Sequence, residues 1–146
     1  MDVFNQIIHN KCIVVPIILW FVVQLSKFFT ELIIYKRVDF KRLVGAGGMP
    51  SSHSAIVCCL ASCIGRTYGF DSGMFALALI FAFVVMYDAA GVRRAAGKQA
   101  SILNKILDTP GMSTVEVQEK LIEALGHTPV QVFVGAFIGF VVSVLV

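Results

Sequence analysis

The apolar positions along this chain gather into four long stretches with polar connections between them. The first covers residues 13–34 and is interrupted by Gln24, Lys27 and Glu31. The second covers residues 54–68, and the third covers 74–91 and contains the unbroken apolar run Met74 to Met86. The fourth, residues 128–146, closes the sequence. About 20 mostly apolar residues are needed to cross the hydrocarbon of a bilayer as a helix, so the pattern predicts four membrane spans. Between the third and fourth, Ser113-Thr114-Val115-Glu116 reads as a capping box. Val117, Leu121, Ile122 and Leu125 then share one helical face, and Gly126 terminates it. That segment is expected to be an amphipathic surface helix. The expectation is an all-α integral membrane bundle in a single domain, residues 1–146, with polar loops at residues 35–53 and 92–127.

Composition sharpens this picture. Of 146 residues 58% are apolar and 14% are charged, whereas a soluble domain carries roughly 25% charged residues. Disorder, a coiled coil and a secreted disulfide scaffold are excluded on that balance. A net charge of +3, dispersed along the chain, gives no footprint for nucleic acid. Cys12, Cys58, Cys59 and Cys63 lie within apolar runs and form no CxxC pair, so they read as small membrane residues, and no metal site is expected. No basic region precedes the first apolar run, and the first segment is expected to stay in the mature protein.

The distribution of cations orients the spans. Lys36, Arg37, Lys41 and Arg42 follow the first stretch, and Arg93, Arg94, Lys98, Lys105 and Lys120 follow the third. Lys11 and Arg66 are the cations left for the other side. Basic loops usually stay in the cytoplasm, so the 35–53 and 92–127 loops are expected there, with a bacterial inner (plasma) membrane as the host.

His53 and His127 begin the second and fourth stretches and therefore face the same, basic side. Helix N-termini expose unpaired N–H groups and partial positive charge, which suits an anion. Thr128 as N-cap with Pro129 after it marks the fourth start strongly. Gly45, Gly47 and Gly48 before Pro50 allow close backbone approach to a phosphate. An anionic ligand at the membrane surface follows from these positions. His9 is expected at the surface. Lys27, four residues before Glu31, reads equally as half of an intrahelical ion pair or as a phosphate ligand, and Gly135 with Gly139 forms a GxxxG packing pair.

Three stretches, GGMPSSHSA (Gly47 to Ala55), YDAAGVRRAAGKQA (Tyr87 to Ala100) and LGHTPVQVFVG (Leu125 to Gly135), resemble the divergent branch of the type 2 phosphatidic acid phosphatases. That branch is related to acid phosphatases and vanadium-dependent haloperoxidases. The resemblance implies a phosphatidic-acid-phosphatase-like bundle hydrolysing phosphomonoesters through a phosphohistidine, without a cofactor. Pro50-Ser51-Ser52-His53 matches a PSGH motif with Ser in place of Gly, which makes His53 the proton donor to the leaving group. His127, Gln131, Val132 and Gly135 match the third motif, which makes His127 the nucleophile.

The resemblance assigns phosphate binding to Arg93 or Arg94, with Ser52, Gly48, Lys41 and Lys27 as further candidates. The KxxxxxxRP pattern of the first motif is absent, and Lys27, Lys41 and Arg42 stand as its substitutes. Gln131 stands where the family has an Asp that orients the nucleophile, and Asp88 is the acid expected to replace it or to pair with Arg93 or Arg94. The substrate class is a lipid phosphate, phospholipid or isoprenyl, delivered from the bilayer. A second copy of the chain is expected to complete the helix bundle as a homodimer. The competing reading is a degenerate phosphatase-like protein that binds anionic headgroups without hydrolysis, favoured by Gln131; a small transporter subunit is the weaker third.

Overall fold

In the computed structural model, residues 2–36, 48–108, 121 and 126–146 are described. Among them the chain is all helical, with elements α1 (Val3–Ile8), α2 (Lys11–Tyr35), α3 (Ser52–Tyr68), α4 (Gly73–Ala90), α5 (Val92–Leu107) and α6 (Pro129–Leu145). Their starts are written in the side chains. Asn10 accepts from the Cys12 N–H at 3.0 Å, and Ser72 caps α4 through the Phe75 N–H at 3.2 Å. Thr128 accepts from the Gln131 N–H at 3.3 Å while Gln131 Oε1 accepts from the Thr128 N–H at 2.9 Å, closing a reciprocal capping box behind Pro129.

The least apolar of the expected spans is the centre of the bundle. α3 packs against α2, α4 and α6 at once, because its buried positions other than Val57 are small: Ser52, Ser54, Ala55, Cys59, Ala61, Ser62, Cys63 and Gly65. Small residues let backbones approach closely where apolar surroundings provide no hydrophobic drive between helices. α6 answers with its own small stripe. A Cβ added at Gly135 would lie 2.3 Å from the Ser51 carbonyl oxygen, and one at Gly139 would lie 2.3 Å from that of Ala55, so α3 and α6 run parallel and nearly touching. The Ser143 hydroxyl donates to Ser62 at 2.5 Å, and the Arg66 guanidinium donates to the Ser143 carbonyl, fastening the far end.

On α2, Cys12, Pro16, Leu19, Val23 and Lys27 are all buried, a spacing that keeps one face toward α3. α4 is arranged in the opposite sense to a helix of a water-soluble protein. Its buried residues are Ala78, Ala82 and Ala89, whereas Leu77, Ile80, Phe81, Phe83 and Val84 are exposed. Large apolar side chains outside and small ones inside is the arrangement expected where the solvent is lipid.

Two segments, Lys11–Thr30 and the α4–α5 run Gly73–Leu107, are long and apolar enough to cross a membrane. α3 and α6, the second and fourth expected spans, are 17 residues each. The loop expected over residues 92–127 needs correction, since its first part is α5. Val92, Ala96, Ala100, Leu103 and Leu107 carry helical spacing, and Gly91 turns the chain between α4 and α5. The amphipathic helix expected around residues 113–125 lies outside the described residues apart from Leu121, whose backbone N–H and C=O pair with the buried Asn104 side chain.

Candidate functional site

The starts of α3 and α6 meet at one end of the bundle because Gly135 lets the two backbones close on each other. The Ser51 N–H donates to the Gln131 carbonyl at 3.1 Å. Ser51 itself is fully buried, and its hydroxyl accepts from both the N–H and the hydroxyl of Ser54. The turn that leads into His53 is therefore fixed from within.

His127 sits just before α6 and is 1% exposed. Its backbone N–H donates to the Ala89 carbonyl at 2.9 Å, one of the orphan carbonyls of the last turn of α4. The preceding Gly126 has φ +86° and lies against Arg93 and Arg94, where a Cβ would come 2.3 Å from the Arg94 backbone nitrogen. Glycine is required there on both counts. His53, the second residue of α3, presents its ring edge-on to His127 with centroids 6.0 Å apart. Among the described residues, neither ring nitrogen of His127 has a hydrogen-bond partner, nor has Nδ1 of His53.

Cations surround the pair. Lys27 reaches across from α2, 5% exposed, and its ammonium donates to the Ser52 hydroxyl at 3.2 Å. Arg93, at the start of α5, donates through Nε to Asp88 at 2.6 Å. The charges of Arg93 and Lys27 both act on His53, and that of Lys27 acts on His127. Burial holds the His127 imidazole below its ordinary value of 6.5, with the Lys27 ammonium and His53 adding to that depression. The Gln131 side chain and the Gly48 backbone lie near enough to oppose it without reaching hydrogen-bond geometry. A neutral imidazole at pH 7 is the nucleophilic form.

The fold thus gathers Lys27, Ser52, His53, Arg93, His127 and Gln131, with Gly48 beside them. Of Arg94 the backbone supports Gly126, and Arg93 is the arginine that acts on His53. Lys41 and Arg42 lie outside the described residues. Two contacts bear on the orienting acid. The amide oxygen of Gln131, which stands in the place of the orienting Asp, is taken by the Thr128 N–H because that N–H is an orphan of the helix start. Asp88, expected either to serve as an acid for His127 or to pair with Arg93 or Arg94, binds Arg93, five residues on across the Gly91 turn.

The sequence left Lys27 open between an ion pair with Glu31 and phosphate binding, although its helical register with Leu19 and Val23 placed it on the buried face. The Ser51–Ser54 pair and the Ala89 carbonyl were also missed. The serines were visible in the motif, whereas the carbonyl contact depends on tertiary packing that no local pattern encodes. Among the described residues no group of three or more His, Cys, Asp or Glu side chains is placed to hold a metal ion.

Comparison with known proteins agrees with the resemblance carried by the motifs. No solved structure matches the chain. An uncharacterized membrane protein of Bacillus subtilis strain 168, YuiD, is 38% identical over 133 residues, covering 84% of this chain and 84% of its own. The Divergent PAP2 family matches residues 8–142. With that match running from the last residue of α1 through α2, α3, α4 and α5 to all but the last three residues of α6, the chain belongs to the Divergent PAP2 family.

Proposed function

We propose that this membrane protein is a lipid-phosphate phosphatase that hydrolyses a phosphomonoester through a phosphohistidine on His127. The observation that carries the reading is the edge-on pair of His53 and His127 at 6.0 Å, set where α3 and α6 begin and flanked by Lys27 and Arg93. The N–H groups of both helix starts, together with the two cations, neutralise the phosphoryl oxygens as charge shifts onto them. The neutral His127 ring attacks phosphorus, the bond from phosphorus to the lipid oxygen breaks, and His53 gives its proton to the departing alkoxide. A water molecule then loses a proton to His53 and attacks phosphorus. The N–P bond breaks, and inorganic phosphate leaves with His127 neutral again. The substrate is a phospholipid or isoprenyl phosphate whose headgroup meets the site at the membrane surface.

In this reading α2, α3, α4 and α6 all cross the membrane, and the Lys- and Arg-rich segments keep the site cytoplasmic at a bacterial inner membrane. A second reading is favoured by the Gln131 cap and the Asp88–Arg93 pair, which leave His127 without an orienting acid among the described residues. In that reading the pocket binds anionic headgroups without hydrolysis. Phosphate release from phosphatidic acid, phosphatidylglycerophosphate and isoprenyl phosphate by purified protein separates the two. The phosphatase reading expects release by the wild type that disappears in both His127→Ala and His53→Ala. Absence of release by the wild type on all three substrates, with retained headgroup binding, establishes the degenerate reading instead.

A further inference from the structure

A groove of about 300 Å³ lies between α4 and α6, with α3 as its floor. It exists because α4 and α6 both pack on α3 while touching each other little. Alanines at 61, 82 and 136 give it width, and almost no polar atom lines it. It begins toward the end of the bundle that holds the histidines. Cys58 is one and a half turns beyond His53, Ala136 is as far beyond Gln131, and Met86 is one turn from the Ala89 carbonyl that holds His127, or about 5–8 Å along each axis. From Met86 it follows α4 back to Phe75, a length of about 16 Å. There Phe70 and Phe75 meet edge to face at 5.0 Å. Gly65 makes room for them, since a Cβ at that position would come 2.5 Å from the Phe70 ring.

We propose that this groove holds one hydrocarbon chain of the phosphorylated lipid, and that the Phe70–Phe75 pair ends it and sets the chain length accepted. The proposal rests on the phosphate being bound at His127. A helix, about 10 Å across with its side chains, is too thick for the space, and the volume is at the low end for ligand pockets, enough for one chain. The groove runs along the helix axes, the direction in which a lipid tail lies beside membrane-spanning helices. Its walls offer an apolar chain contact without leaving any buried polar group unpaired.

The test is photolabelling of the full chain in phosphatidylcholine nanodiscs with hexadecyl phosphate carrying a diazirine midway along its tail. Parallel samples measure phosphate release from octyl, dodecyl and hexadecyl phosphates. The expected result is label concentrated on Ala61, Ala82 and Ala136 and their neighbours, competed by unlabelled hexadecyl phosphate. Ala82→Phe and Ala136→Phe are each expected to lower it roughly tenfold, while hydrolysis of water-soluble phenyl phosphate by the same variants persists. Phe75→Ala is expected to shift preference toward longer chains. Label spread over the outward faces of α2 and α4, at the level found in the groove, overturns the proposal even when phosphate is released. Groove labelling without release from any ester upholds the groove and overturns the phosphatase reading.

Discussion

The His127 backbone N–H donates to the Ala89 carbonyl at 2.9 Å, so the last turn of α4 holds the residue that opens α6. Asp88 is the neighbour of Ala89, and its carboxylate holds Arg93 on α5 at 2.6 Å. One turn of α4 therefore positions a candidate nucleophile through its main chain and a candidate phosphate ligand through a side chain. The turn at Asp88 and Ala89 ties the start of α5 and the start of α6 to the end of α4, which brings together residues far apart in the sequence.

Closure of α3 on α6 is the feature on which the histidine geometry depends. Gly135→Ala places a Cβ against the Ser51 carbonyl, and Gly139→Ala places one against that of Ala55. Each is expected to lower stability by about 1–3 kcal/mol, as overpacking does, measured as thermal unfolding in detergent. Gly135→Ala is expected to lose more phosphate release than Gly139→Ala, because Ser51 also binds Gln131 beside the imidazoles. Equal effects on activity would separate helix closure from the site.

The residues of this interface show what a sequence discloses and what it does not. GxxxG spacing announced close packing of α6, and the Thr128-Pro129 start announced its first turn, because both are local rules. The central position of α3 was obscured by its low apolarity. Its Ser and Cys residues, the latter read as small membrane residues, are the close contacts of this helix with its neighbours. α5 was hidden in the same way by its cations, which masked a helical spacing of Val92, Ala96, Ala100 and Leu103. The choice of Arg93 over His127 by Asp88, and the partner of the Gln131 amide oxygen, were beyond pattern reading. A helix cap and an imidazole compete for the same amide oxygen, and only the positions of the backbone decide between them.

The Gln131 cap gives two variants with opposite expectations. Gln131→Glu keeps a side chain long enough to accept from the Thr128 N–H, so stability is expected to hold within about 0.5 kcal/mol. Gln131→Asp is too short to close the box well and is expected to cost about 0.5–1 kcal/mol at the helix start. A carboxylate near His127 stabilises the imidazolium that develops during proton transfer, so phosphate release is expected to rise in Gln131→Asp. Unfolding curves and initial rates on phosphatidic acid check both. A fall in rate with unchanged stability would remove Gln131 from any part in orienting the ring.

Acid is expected to destabilise the fold through His127. Its folded value is depressed below 6.5 by burial first and the Lys27 charge second. Above about pH 6.5 neither state binds the proton and stability is flat. As pH falls below that value the unfolded chain takes up a proton that the folded one refuses, so stability is lost until the folded value is passed. Thermal unfolding from pH 7.5 down to 5 is expected to show this loss, and His127→Gln is expected to flatten part of it. An identical pH profile in the variant would place the acid sensitivity elsewhere.

Lys27 and the Asp88–Arg93 pair test how the site holds phosphate. Lys27→Met removes the ammonium that donates to Ser52 while keeping an apolar stem of similar length on the buried face of α2. Hydrogen bonds to charged groups contribute about 1.5–3 kcal/mol, so KM is expected to rise roughly ten- to hundredfold, with unfolding temperature little changed. Asp88→Asn acts on an ion pair whose side chains are about 40% exposed, and it is expected to cost under about 1 kcal/mol of stability. Its effect falls on Arg93, which loses its anchor, so KM rises again but less than in Arg93→Ala. In a double-mutant cycle the Asp88→Asn and Arg93→Ala effects are expected to be non-additive, because each acts through the same guanidinium. Additive effects would show that Asp88 meets the phosphate site by a route other than Arg93.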